Sequence, residues 1–183
     1  MKTKTDSILE LSEYLGLKSL SQQYQVYIQR AHEKQLGFLE FLEMILREEV
    51  IRKRECSIRY RLTESRLPRP YKLLKDFEFS FQPTLRKSLI MDLATMEFIK
   101  NKESLLFIGD CGTGKSHIAQ GLGMIACEKG YKVLYTTCSG LITDLNNGAY
   151  EKNLPKRLRR YTLPDLLIID EMGKNISGVG VDP

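Results

Sequence analysis

No stretch of the 183-residue sequence approaches the run of about 18 apolar residues that a membrane-spanning helix needs. The N-terminus lacks the uninterrupted apolar core of a secretory signal, because Asp6, Glu10 and Glu13 break it. The expected location is therefore the cytoplasm, with no membrane partner. Four cysteines, Cys56, Cys111, Cys127 and Cys138, form no C-x-x-C pair, which excludes a zinc ribbon or dithiol redox motif and leaves reduced structural thiols. Two histidines are too few for a histidine-built metal site. There is no internal repeat and no low-complexity tract. What is present is ordinary for a globular protein: 42% hydrophobic and 28% charged residues, in a length that suits one domain and a small extra one.

The charge is +5 net, and it is unevenly placed. Residues 47–75 hold ten lysines and arginines against four glutamates, and residues 152–160 hold five basic residues and no acid. Such stripes attract polyanions, DNA phosphates among them, or are simply solvated helix faces. Apolar positions at helical spacing predict three helices between residues 6 and 66, with breaks near Gly16 and Gly37. Leu67-Pro68-Arg69-Pro70 ends the third, since a residue before proline avoids the helical region. Residues 67–83 read as a connector bearing Phe77, Phe79 and Phe81. From 84 the pattern alternates: a helix over 85–101, a buried strand over 104–108, a helix over 115–129, a strand over 132–137, a helical piece over 139–146 and a strand over 166–170. Strand–helix alternation predicts an α/β domain with a parallel sheet covered on both faces. The expected division is a helical basic arm (1–66), a connector (67–83) and an α/β domain (84–183).

Gly109-Asp110-Cys111-Gly112-Thr113-Gly114-Lys115-Ser116 is G-x-x-x-x-G-K-S, the P-loop, set between an apolar run and a helix. Glycines let backbone N–H groups curl around phosphate oxygens, and the helix that follows adds its positive end. Lys115 is expected on the β- and γ-phosphates and the Ser116 hydroxyl on Mg²⁺. With glycine at about 7% of residues, a chance match in a chain of this length is roughly a 1% event. Fifty-five residues after Lys115, the apolar strand Leu166-Leu167-Ile168-Ile169 ends in Asp170-Glu171. Asp170 is the expected second Mg²⁺ group, and Glu171 the general base for an attacking water. No N-K-x-D motif for guanine is present, which favours ATP.

In these motifs the chain resembles the IstB-like ATP-binding proteins, helper ATPases of IS21-type transposition and relatives of the DnaC-type helicase loaders in the AAA+ class. The resemblance covers about residues 8–173. It rests on Phe38-Leu39-Glu40-Phe41-Leu42, on Glu49 followed by Arg52 and Arg54, and on Leu74-Lys75-Asp76-Phe77-Glu78-Phe79. It continues through Leu93-Ala94-Thr95-Met96-Glu97-Phe98-Ile99, the P-loop followed by His117, and Gly130-Tyr131-Lys132-Val133-Leu134-Tyr135-Thr136-Thr137 with Leu141 to Leu145. It ends on Pro164-Asp165 and the Asp170-Glu171 strand with Met172 and Gly173. The resemblance implies an AAA+-like P-loop NTPase, incomplete at its C-terminus, that binds ATP and Mg²⁺ through residues 109–117 and Asp170. It also implies binding of duplex DNA, self-assembly with ATP when complete, and delivery of a transposase. The expected DNA contacts are Arg52, Lys53, Arg54, Arg59 and Arg61 on the arm, and Lys156, Arg157, Arg159 and Arg160. His117 is expected to pack at the helix start, with a phosphate role as the sharper alternative, and Cys111 to be a filler.

The sequence departs from the family's pattern after Gly173, where Lys174-Asn175-Ile176-Ser177-Gly178-Val179-Gly180-Val181-Asp182-Pro183 ends it. The family carries further strands, a polar sensor residue and an arginine finger. Its sensor strand lies between the P-loop strand and the Asp-Glu strand, so a gap is expected inside the sheet, exposing strand edges. A truncated or frameshifted copy is the expectation, a genuine short form the alternative. An arginine finger contributes roughly 10³–10⁵ in rate, so without one a turnover of about 10 per second falls to roughly 10⁻²–10⁻⁴. The rival readings are a replicative helicase loader, a nucleotide- and DNA-binding remnant without hydrolysis, and a P-loop small-molecule kinase whose lid is the 152–160 run.

Overall fold

A computed structural model describes residues 3–82 and 85–172, and the chain forms two compact units, residues 1–57 and 58–183. The expected connector boundary at Pro83, and the tail from Gly173 onward, lie outside the described residues.

The first unit is helical. Helix α1 is Lys4–Tyr14, α2 is Lys18–Glu33, and α3 is Phe38–Glu64, most of which lies in this unit. Thr3 starts α1 with a reciprocal cap: Asp6 N–H donates to the Thr3 hydroxyl, and Thr3 N–H donates to the Asp6 carboxylate. Gly16, at φ 67°, makes the turn into α2. The unit is tied together by buried polar groups. Glu49 on α3, 3% exposed, accepts from Leu20 N–H at 2.8 Å and from Arg52 Nε at 3.0 Å. Arg52 also donates to the Gly16 carbonyl at 3.0 Å. Tyr27, 1% exposed, shares a hydrogen bond with the Ser19 hydroxyl.

The second unit takes in the end of α3. Arg61 Nε donates to the Cys127 carbonyl at 2.7 Å, and Tyr135 N–H donates to the Ser65 carbonyl at 2.7 Å. After the single-turn 3-10 segments Leu74–Asp76 and Phe79–Phe81 come α4 (Lys87–Leu93), α5 (Glu97–Lys100), α6 (Lys115–Glu128), β1 (Val133–Thr137), α7 (Cys138–Tyr150), α8 (Leu154–Thr162) and β2 (Leu166–Asp170). Strands β1 and β2 pair in parallel, Val133 opposite Leu166 through Thr137 opposite Asp170. Helix α6 lies on both strands, and its Ile118 and Leu122 are 2% exposed. Each such aliphatic side chain contributes about 1.5–3 kcal/mol by leaving water. Two glycines let α6 come close. A Cβ on Gly121 would sit 2.9 Å from the Leu74 backbone, and one on Gly123 would sit 2.7 Å from Ile168 Cδ1.

The basic run 152–160, for which a helix face was one expectation, is mostly helix α8, which docks on α7 where Gly148 leaves room for the Arg157 stem. Two expectations are corrected. The helix over 85–101 is two helices, α4 and α5, because Met96 takes φ 70° to bury its side chain completely in the core. The buried strand over 104–108 is neither buried nor a strand: Leu106 and Ile108 are 73% and 85% exposed and no residue of the segment is in a ladder. A strand exists only when a neighbour accepts and donates its hydrogen bonds. Among the described residues β2 pairs with β1 alone, so the sheet has two strands and the unit is mostly helical.

Candidate nucleotide-binding site

The loop over residues 109–114 leads directly into α6, with Gly112 and Gly114 at φ 82° and 83°. Gly114 is held to glycine twice over. Its left-handed backbone disfavours a side chain, and a Cβ there would collide with the Phe77 ring from the connector. Gly114→Ala is expected to distort the loop and lower nucleotide affinity at least tenfold; titration with a fluorescent ATP analogue checks this. Lys115 Nζ donates to the Gly109 and Asp110 carbonyls, at 2.7 and 2.5 Å, and to the Thr113 hydroxyl at 3.2 Å. Thr113 in turn donates to the Asp110 carbonyl at 2.9 Å. A flexible ammonium held only by neutral acceptors is ready to transfer to phosphate oxygens, which bind it more strongly.

One residue on, the Ser116 hydroxyl donates to Asp170 Oδ1 at 2.9 Å. The packing of α6 on β2 thus joins the two acid-and-hydroxyl motifs expected from the sequence. Asp170 also accepts from Glu171 N–H at 2.8 Å on Oδ1 and from the Tyr135 hydroxyl at 2.8 Å on Oδ2. Partial burial pushes the Asp170 carboxyl up. The hydrogen bonds from Tyr135, Ser116 and Glu171, with the charge of Lys72, outweigh it and hold the group below its ordinary value of 3.8. Asp170 is therefore an anion at neutral pH. Burial, and the bond to Asp170 after it, push the Tyr135 phenol well up, so it stays a donor. Glu171 follows with its residue exposed and φ 59°.

The His117 Nε2 donates to the Leu73 carbonyl at 2.8 Å, and its ring meets Phe77 edge-on at 5.3 Å, so the side chain is engaged with the connector. Cys111 is exposed in the loop. With Phe77 and Leu73, the connector braces the P-loop from behind. Tyr135, Lys72 and Phe77 were missed by sequence reasoning. Tyr135 could have been found only from the strand register, which puts positions 135 and 170 on one face of the sheet.

The basic residues divide. Arg52 and Arg61 are engaged internally, as described above. Arg157 pairs with Asp144 and with Glu151, the latter at 2.7 Å, on a half-buried stem. Asp144 accepts from Tyr161 at 2.8 Å, the main reason its carboxyl is lowered; burial pushes Tyr161 up to about 12. Lys53, Arg54 and Arg59 on α3, and Lys156, Arg159 and Arg160 on α8, are exposed.

Residues 10–176 match the family described as IstB-like ATP binding protein. The chain belongs to this family. Among curated relatives, the insertion sequence IS5376 ATP-binding protein of Geobacillus stearothermophilus is 34% identical over 168 residues, 92% of this chain and 66% of the relative. The IS21 ATP-binding protein of Pseudomonas aeruginosa is 32% identical over 87% of this chain and 60% of its own length. The IS232 ATP-binding protein of Bacillus thuringiensis subsp. berliner is 30% identical over 94% of this chain and 69% of its own length. The chain thus spans roughly two thirds of the length of these IstB-like relatives. Among the described residues no helix is long and apolar enough to cross a membrane, and no three acidic, cysteine or histidine side chains cluster as a metal cage.

Proposed function

We propose that this chain is an ATP-binding helper of insertion-sequence transposition that binds ATP with Mg²⁺, docks on duplex DNA through exposed basic residues, and brings a transposase to it. The observation that carries the nucleotide half is the Ser116–Asp170 contact at the mouth of the P-loop. A hydroxyl and a carboxylate are the hard oxygen donors that Mg²⁺ takes, and one or two from the protein suffice because phosphates and waters complete its shell. Held by Ser116 and Asp170, such an ion would neutralise phosphate charge. The chain's residues do the rest. Loop N–H groups and the α6 N-terminus orient the phosphates, Lys115 releases its carbonyls to take up the terminal oxygens, and Glu171 beside Asp170 accepts a proton from the attacking water. The relatives' descriptions as insertion-sequence ATP-binding proteins support the same reading.

Exposed Lys53, Arg54 and Arg59, with Lys156, Arg159 and Arg160, supply phosphate contacts without base readout. Replacing Lys53, Arg54 and Arg59 by alanine is expected to weaken duplex binding and to flatten the slope of log K against log salt by about 2–3. An unchanged slope removes α3 from the DNA surface. The deciding experiment for the whole reading is ATP turnover of the purified chain with and without duplex, with Lys115→Ala as the blank. DNA-stimulated turnover above the blank supports a helper ATPase. Turnover at the blank level in a folded sample rejects hydrolysis and leaves nucleotide binding to be measured directly.

A further inference from the structure

Asp170 is gripped by more groups than a P-loop requires. Ser116 and Glu171 N–H share its Oδ1, while Oδ2 is left to Tyr135. Tyr135 stands in β1 opposite Ile168, two positions before the Thr137–Asp170 pair, so the two-residue repeat sets it on the face from which Asp170 projects.

We propose that Tyr135 is a positioning residue that holds the Asp170 carboxylate by Oδ2 and keeps Oδ1 turned to Ser116 for a divalent cation. This rests on the nucleotide–metal reading above. The physical need arises because a Ser116 hydroxyl whose oxygen faces a cation must release Oδ1. Asp170 then has only Tyr135 and the neighbouring N–H to stop it rotating about χ2. Losing such an outer partner typically costs 10- to 100-fold in metal affinity.

The test uses the full chain and a fluorescent ATP analogue, titrated once with Mn²⁺ and once with a chelator. Tyr135→Phe is expected to weaken binding about tenfold with Mn²⁺ and less than twofold without it, and to weaken Mn²⁺ itself in electron paramagnetic resonance titrations of the nucleotide complex. In an Asp170→Asn background the same change is expected to add nothing, because its target is gone. Equal losses with and without metal show a merely structural tyrosine and overturn the proposal, as does no loss. If melting shows that Tyr135→Phe is unfolded, Tyr135→Met takes its place, with the same metal-selective loss expected; no selective loss overturns the proposal. A wild-type chain whose nucleotide binding ignores Mn²⁺ sinks the nucleotide–metal reading and this inference together. A metal-dependent wild type matched by Tyr135→Phe sinks only this inference.

Discussion

Lys115→Ala raises the dissociation constant for ATP by about a hundredfold. In the structure the ammonium already sits among the acceptors of the loop, bonded to Gly109, Asp110 and Thr113. It needs only a swing of its side chain to reach phosphates cradled there. Hydrogen bonds to charged groups contribute about 1.5–3 kcal/mol each. Two of them lost to phosphate oxygens give about 3 kcal/mol, or two decades in affinity. The lysine's present partners are exposed or half-buried, so water replaces it without penalty, and the melting temperature of the free chain is expected to hold within about a degree. Isothermal titration with ATP and Mg²⁺ checks the first number and calorimetry the second. Unchanged affinity means that phosphates bind elsewhere and that the P-loop assignment is wrong. A collapsed melting temperature means that the lysine is a structural strut.

Arg52→Ala destabilises the helical arm by about 3 kcal/mol, the loss typical when one member of a buried pair is removed. Glu49 is left 3% exposed with its charge answered by backbone N–H groups such as that of Leu20, and the Gly16 carbonyl loses its donor. Arg52→Lys is expected to restore less than half, because one ammonium does not span both partners as a planar fork does. Hydrogen exchange on the α1 and α2 amides reads the effect locally; unchanged protection would refute it. The same contact gives a pH dependence. Burial pushes Glu49 up, but the Leu20 N–H and Arg52 outweigh it, so the folded carboxyl lies below its ordinary value of 4.5. Its contribution is full above that value and disappears as pH falls through the folded one. Arg52 therefore belongs in no DNA-binding test. Any loss of binding in Arg52→Ala would reflect an unfolding arm, which is why the charge substitutions above keep it.

The local parts of the molecule were legible in its sequence. Gly16 and the prolines after Leu67 mark helix boundaries because they act on their own backbone, whereas α2 is closed by Gln35 at φ 50°, before Gly37. The P-loop is legible for the same reason: its glycines, Lys115 and Ser116 are consecutive, and their chemistry depends on short-range geometry. Asp170-Glu171 could be placed by the apolar strand that delivers it. Tertiary structure decided what depends on partners distant in the chain. Residues 104–108 have a strand's composition, yet no described strand pairs with them to complete their hydrogen bonds. Met96 leaves the helical region because the core takes its side chain. Arginines that look alike in sequence part company: Arg52 and Arg157 meet buried or half-buried acids, whereas Arg54 and Arg159 meet water. Tyr135 and Asp170 are separated by 35 residues and joined only by the register of β1 on β2. Sequence sets backbone preference and the chemistry available at each position; which groups are desolvated together, and so acquire altered charge and a fixed orientation, is set by packing.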